Sequence, residues 1–233
     1  NPALLKEVFL SMIGVDPADD QSFELRSKES KPSRKRIILC VNRSLGEMEL
    51  LQTKLRSFLA QLKLNGFEII FIDLPEVSFD YKTISSTDIR ADITKFLHRY
   101  GSDNEPRSFE GLVECYRERP HAHLYGMERL EDALAMPQIE KSELKKLVQE
   151  NVVKARNLIN SILDRYDADF VGFLNFVDWF SIGGGPSSTL PVSFETKPPI
   201  SIMLGSRVGN DLALLDIVQE FSEVAKAAQH TDN

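Results

Sequence analysis

Apolar residues recur along this chain with two periods, and the switching between them outlines a fold. The opening stretch NPALLKEVFLSMIG places Leu4, Leu5, Val8, Phe9 and Met12 near 3.6-residue spacing, which predicts an amphipathic helix. GVDPADDQS then supplies turn chemistry. RIILCV (36–41) is a compact β-rich run that reads as a buried strand. A helix is predicted from about Gly46 to Lys63, with Met48, Leu51, Leu55, Phe58, Leu59 and Leu62 on one face and Asn65-Gly66 closing it. FEIIFIDL (67–74) is the next strand. Strand, helix and strand at this length predict a βαβ unit, with parallel pairing and a right-handed crossover.

The middle of the chain reads as helical. TDIRADITKFLHRYG (87–101) opens on Thr87 as a candidate cap; SFEGLVECYRER (108–119) and MERLEDALAM (127–136) follow, with a break at Pro137. From Ser142 to Asp167 a continuous stripe, including Leu144, Val148, Ala155, Ile159 and Leu163, predicts a long helix. ADFVGFL (168–174), TLPVSF (189–194) and ISIMLGS (200–206) read as strands, with a glycine turn after the first and a final helix over about 210–229. The expected class is α/β: one mixed, largely parallel sheet flanked by helices. Neither an internal repeat nor a low-complexity segment is found.

Composition narrows the function classes. The chain has 233 residues, enough for one sizeable core, and its net charge of −7 argues against nucleic acid as the main partner. One basic stretch, RSKESKPSRKR (26–36), runs against that balance, but without interleaved aromatics it reads as a solvated linker. No window is apolar over the length a membrane helix requires, so no membrane span is expected. No secretory leader pattern is recognisable at the start. Cys40 and Cys115 are too few for a disulfide framework, and reduced thiols in the cytoplasm are the expectation. The sequence opens inside an amphipathic helix, which suggests a portion of something longer.

The segment SIGGGPSSTLPVSF (181–194) invites a chemical reading. A phosphate loop needs Gly-Lys-Ser/Thr opening a helix, whereas here Gly185 precedes Pro-Ser-Ser and a strand. The dinucleotide fingerprint fails at Ser188, where a third glycine is required. Ser187 and Ser188 lack a nearby base to activate them, so they read as turn residues. His121 and His123 form a metal-like doublet without a third ligand at suggestive spacing. Asp73, Asp167 and Asp169 lie at strand boundaries, where acids also serve turns and caps. Trp179, beside Asp178, suits either core filling or a pocket wall. No complete catalytic constellation emerges, and neither a cofactor nor a metal is expected.

The order of segments does carry a resemblance. ILDRYDADFVGFL, then FSIGGGPSSTLPVSF, then PISIMLGSRVGNDLALLDIVQEFSE, resembles the C-terminal third of the amidase signature family. Gly184, Pro186, Pro191, Val192, Gly205, Asp211, Leu214 and Leu215 fall in the family's register. PALLKEVFLSMIGVDPADDQS is similar to the helix after the family's signature region, and RKRIILCV and FEIIFIDLP to the βαβ unit that follows. The resemblance implies the fold of that family, with residues 1–233 as the C-terminal part of one longer α/β domain. It implies amide hydrolysis by a Ser–Ser–Lys triad, with Lys activating the nucleophile through a bridging Ser on a cis peptide. That lysine and the Gly/Ser-rich serine loop precede the matching region, and GGGPSS corresponds to a different part of the family. No catalytic residue is therefore assigned within this chain.

Departures from the family pattern keep other readings open. Its Pro-Thr after the strand is missing from FVGFL, the long loop that follows is cut to a few residues, and Ser181 and Ser193 replace its Asn and Gly. The glycines are expected to bring bare backbone close to the active-site wall. Phe176, Asp178, Trp179 and Gly184 are the substrate-binding candidates, facing the segment that carries the triad. The implied partners are a small-molecule amide, that segment, a second copy of the chain and, among the family's substrates, a charged tRNA. Two further readings stand beside the hydrolase: a non-catalytic scaffold or binding subunit, and a stand-alone enzyme using His or Asp.

Overall fold

The computed structural model describes residues 2–15, 17, 35–53, 55–102, 105–119, 121, 126–137, 139–193 and 199–231. Most of the basic run, His123, Phe194 and residues 195–198 lie outside this set. The chain divides into two compact units, one of residues 1–76 with 152–233 and one of residues 77–151.

The first unit is built on five strands: β1 (Arg36–Val41), β2 (Glu68–Asp73), β3 (Phe170–Phe173), β4 (Ser187–Ser193) and β5 (Ile200–Gly205), in the order β2-β1-β3-β5-β4. β1 pairs in parallel with β2 and β3, while β5 runs antiparallel to β3 and β4, so the sheet is mixed as the sequence predicts. Strand β1 is buried from Ile37 to Val41, which explains its unbroken apolar run: both faces are covered. Ile37, Leu39 and Val41 face one core with Phe170, Ile202 and Leu204. That core is completed by helices α2 (Glu47–Thr53), α3 (Arg56–Leu64) and α9 (Asp211–Thr231), through Leu51, Phe58, Leu62, Leu214 and Phe221. Phe221 meets Phe58 and Phe67 edge-on, with ring centroids 5.3 and 5.6 Å apart. Helix α1 (Pro2–Met12) lies on α9, with Lys6 Nζ 2.5 Å from Asp216 Oδ1.

The other face carries Cys40, Phe173 and Met203 in register across β1, β3 and β5. Against it stands α8 (Trp179–Gly183), a five-residue helix absent from the sequence reading because it is too short to show a period. Residues from Val152 on of α7 (Lys141–Arg165) also belong to this unit, with Ala155, Ile159, Ile162 and Leu163 buried. At the start of β1, Arg36 ties three elements together. Its Nε donates to Glu68 Oε2 at 2.7 Å and its Nη1 to the Tyr166 carbonyl at 3.1 Å.

Two expectations need correction here. The helix expected from Gly46 to Lys63 is split into α2 and α3, and the split follows Thr53, whose Oγ1 donates to the Glu49 carbonyl at 2.8 Å. A back-bond of this kind weakens the helix ladder locally. Ser187 and Ser188 are strand residues, not turn residues: they pair with Gly205 and Leu204 at the start of β4.

The second unit is helical: α4 (Tyr81–Tyr100), α5 (Phe109–Arg117), α6 (Glu128–Ala135) and the first part of α7. Phe109, Val113 and Ala133 form its core, with Ile93, Met127, Leu130 and Leu134 against them. Ser108 caps α5 by accepting from Gly111 N at 3.1 Å. Thr87 is not a cap. It lies inside α4 and donates to the Thr83 carbonyl at 2.8 Å, while the chain enters α4 at Asp80, whose N–H is held by Asn151 Oδ1 at 2.9 Å.

Candidate functional site

In this sheet the connections that leave β1 and β3 part in opposite directions. The one from β1 leads to β2 on one side, and the one from β3 leads to β4, beyond β5, on the other. The carboxyl ends of β1 and β3 therefore flank a switch point, where two neighbouring connections part and leave a crevice. The polar residues gathered there are Asn42, Glu47 and Asn175, just past the ends of β1 and β3 and at the start of α2.

Local sequence builds this cluster. Asn42 Oδ1 accepts from Ser44 N at 3.1 Å and opens a short 3-10 turn, Arg43–Leu45, which Gly46 ends at φ +70°. A left-handed residue there suits glycine. The chain thus turns back at once, and Glu47 Oε2 accepts from Asn42 N at 2.6 Å, much as the acid of a capping box does. Glu47 Oε1 accepts from Asn175 Nδ2, which fastens the loop after β3 to the start of α2. Glu47 is only 6% exposed, so both carboxylate oxygens spend their capacity inside the protein. Burial, and then the Glu47 carboxylate, push the Cys40 thiol from an ordinary 9.0 up to about 12, so it is protonated and inert at neutral pH.

The sequence-predicted residues lie next to this cluster or beyond it. Phe176, one residue past Asn175, is 75% exposed. Asp178 is half-buried at the entry to α8, and its carbonyl accepts from Ile182 N at 2.9 Å. Trp179 is 3% exposed, and its ring meets Phe173 edge-on at 5.0 Å and 78°. Gly184 stands at the far end of α8 with φ +69°, where its N–H caps the helix on the Phe180 carbonyl. The structure therefore leaves Phe176 exposed in the loop after β3, sets Asp178 at the entry to α8, turns Trp179 into the core and places Gly184 at the other end of α8. Two of the boundary acids have side-chain partners: Asp73 pairs with Arg43, and Asp167 lies 3.6 Å from Arg36 Nη1; Asp169 is held through its backbone carbonyl, which accepts from Ser206 Oγ at 2.7 Å. Among the described residues no group of three or more His, Cys, Asp or Glu is placed to hold a metal ion.

Sequence reasoning missed the polar cluster because the local turn from Asn42 to Glu47 does not show that Asn175, 128 residues from Glu47, joins it. It also missed a second concavity. A cleft of about 230 Å³ opens between α7, the Gly183–Gly185 turn and the Ser206–Val208 turn, with Arg156, Asn160 and Arg207 in its wall.

Comparison with solved structures places this arrangement. An amidase family protein from Bacillus anthracis superposes with a TM-score of 0.72 at 16% identity, over 95% of this chain and 46% of that one. The peptide amidase from Stenotrophomonas maltophilia gives 0.64 at 14% identity, over 82% and 43%. A bacterial aryl acylamidase of the amidase signature family gives 0.58 at 16% identity, over 94% and 50%. The fold is that of the amidase signature enzymes. Within that fold, the chain spans about half the length of the solved structures it matches. By sequence, no family model and no curated protein matches it. No helix among the described residues is long and apolar enough to cross a membrane.

Proposed function

We propose that these residues are the C-terminal part of one longer amidase-like domain, and that the Ser–Ser–Lys machinery lies on polypeptide outside them. The observation that carries this reading is the unequal coverage: 95% of this chain overlies 46% of an amidase family protein. Two features support it. The order of motifs in the tail is that of the family's C-terminal third, downstream of its serine loop. In addition, α1 exposes Leu4, Leu5, Val8, Leu10 and Met12, apolar surface suited to contact with further protein, whether that remaining part or a second copy. The substrate is a small amide. Phe176 and Asp178 would line its pocket, Gly184 would let backbone pass close by, and Trp179 would back the wall from the core. No cofactor enters this chemistry. The two free thiols support a cytoplasmic location.

The role of the chain in this reading is to carry the wall, not the nucleophile. A fluorophosphonate that traps activated serines tests it in the intact polypeptide containing these residues. Hydrolysis of a chromogenic anilide and labelling of a serine outside this sequence are expected; a labelled serine within it would end the proposal. The short connection from Phe173 to Trp179 favours a second reading, a non-catalytic scaffold subunit. Absence of both labelling and hydrolysis would select that one.

A further inference from the structure

The cleft walled by Arg156, Asn160 and Arg207 lies at the opposite end of the sheet from the Asn42–Glu47–Asn175 cluster. It adjoins the end of β5 and the start of β4, which pair Gly205 with Ser187, and the Asp169 carbonyl just before β3. Its floor is bare backbone for a steric reason. A Cβ on Gly185 would stand 2.9 Å from the Ser206 carbonyl oxygen, and one on Gly183 would stand 3.4 Å from Ala155 Cβ. At Gly185 only glycine lets the two turns come this close, whereas a Cβ at Gly183 would make ordinary contact with α7.

The side chains around that floor have mostly N–H left to offer. Arg156 Nε donates to the Gly183 carbonyl at 2.6 Å, which fixes the guanidinium plane. Its two Nη groups have no ion-pair partner among the described residues. Arg207 is braced in the same way, through Nη1 to Asn160 Oδ1 at 3.3 Å and Nη2 to Asp164 Oδ1 at 2.7 Å. Because Asn160 accepts through its oxygen, its Nδ2 is a further donor. Ser206 is already committed: its hydroxyl donates to the Asp169 carbonyl and accepts from Asn210 Nδ2 at 3.0 Å. Among the described residues no carboxylate lines the cleft, although Asp164 pairs with Arg207.

We propose that this cleft binds a small oxyanion, a carboxylate or phosphate group, between Arg156 and Arg207. Two guanidinium groups, one of them braced by Asp164, and an amide N–H can present paired donors to two oxygens of such a group. Charge-assisted bonds of this kind are among the strongest a protein makes. At about 230 Å³ the cleft falls below the volumes usual for drug-sized ligands, so it fits a small anion or one anionic group of a larger molecule. The inference stands apart from the amidase reading, since neither arginine is assigned to the amide pocket and no step refers to the triad; the two share only the Gly183–Gly185 turn.

The test is 31P NMR line-broadening of inorganic phosphate by the intact polypeptide at fixed ionic strength, with malonate as the competing carboxylate. Saturable binding with Kd on the order of 1 mM or tighter is expected. Arg156→Gln and Arg207→Gln should each weaken it about tenfold or more, while Arg165→Gln, outside the cleft, leaves it unchanged. A malonate inhibition constant below the phosphate Kd would assign the site to carboxylates, and one well above it to phosphate groups. Arg156→Lys, which keeps the charge, is expected to retain part of the affinity, and circular dichroism confirms that each variant is folded. Broadening that never saturates, or that is equal in wild type and a folded Arg156→Gln/Arg207→Gln variant, overturns the site.

Discussion

Phe180 occupies the space a side chain at Gly205 would need: a Cβ on that glycine would stand 2.2 Å from the ring's Cζ and 2.4 Å from Cε1. The ring lies flush on β5 only because position 205 is bare, and Phe180 is fully buried there. Gly205→Ala should therefore destabilise the fold by about 1–3 kcal/mol through overpacking. In a chain of this size that lowers Tm by roughly 2–4 °C per kcal/mol. Calorimetry checks the value, and pairing the change with Phe180→Leu should restore part of the loss. An unchanged Tm in Gly205→Ala would mean that the ring does not sit on the strand.

Gly184 constrains the chain for a different reason. Nothing crowds it beyond Arg156 Nη2, 3.4 Å from where a Cβ would be, but its φ of +69° is left-handed. Gly184→Val should cost about 1–3 kcal/mol, because a β-branched residue is strained in that region. Gly184→Asn, which tolerates it, should melt close to wild type. Equal melting temperatures for the valine and asparagine variants would remove backbone conformation as the cause. If Gly184 also lets backbone approach the amide pocket, the valine variant should raise KM in the intact enzyme.

The parts of this structure that the sequence revealed are those with a local signature. RIILCV and FEIIFIDL marked β1 and β2 to within a residue, β1 because a strand buried on both faces reads as an apolar run and β2, at the sheet edge, because it is rich in β-branched and aromatic residues; the intervening length implied their parallel pairing. Ser108 was legible as a helix start because a cap is a local bond. Thr87 misled because its hydroxyl has an alternative acceptor one helical turn back. The polar cluster was illegible: only the Asn42–Glu47 turn is local, and Asn175 is chemically ordinary until β1 and β3 lie side by side. The same holds for the two arginines of the cleft, one on a helix and one in a turn.

Cys40 should behave as a closed thiol. With its pKa raised to about 12, first by burial and then by Glu47, it holds little thiolate at pH 8, and thiolate is the reactive form. Iodoacetamide is expected to modify half-buried Cys115 in the native protein and both cysteines in urea, as mass spectrometry would show. The sign of the pH effect follows from the direction of the shift. The folded state holds the proton more tightly than the unfolded chain, so this contribution is fully present below pH 9. It is lost as pH rises towards 12, by up to about 1.4 kcal/mol per unit. Cys40→Ala should abolish that slope. A slope unchanged in the variant would assign it to other groups.

Glu47 is the residue on which the two strand ends depend, since it accepts from Asn42 N at 2.6 Å and from Asn175 Nδ2. Glu47→Ala removes both acceptors and strands the Asn42 N–H in a half-buried site, which costs about 1–3 kcal/mol. Glu47→Gln should cost less. Its amide oxygen can still accept from Asn42 N, and Asn175 can rotate to present its own oxygen to the new N–H. The comparison separates hydrogen bonding from bulk, because Gln keeps the shape of Glu. If Phe176 and Asp178 line the amide pocket, loosening Asn175 should also raise KM more than it lowers kcat in the intact enzyme, since the loop would position substrate and touch no reacting atom. Glu47→Gln as damaging to stability as Glu47→Ala would show that the negative charge itself, not the pair of acceptors, holds the crevice together.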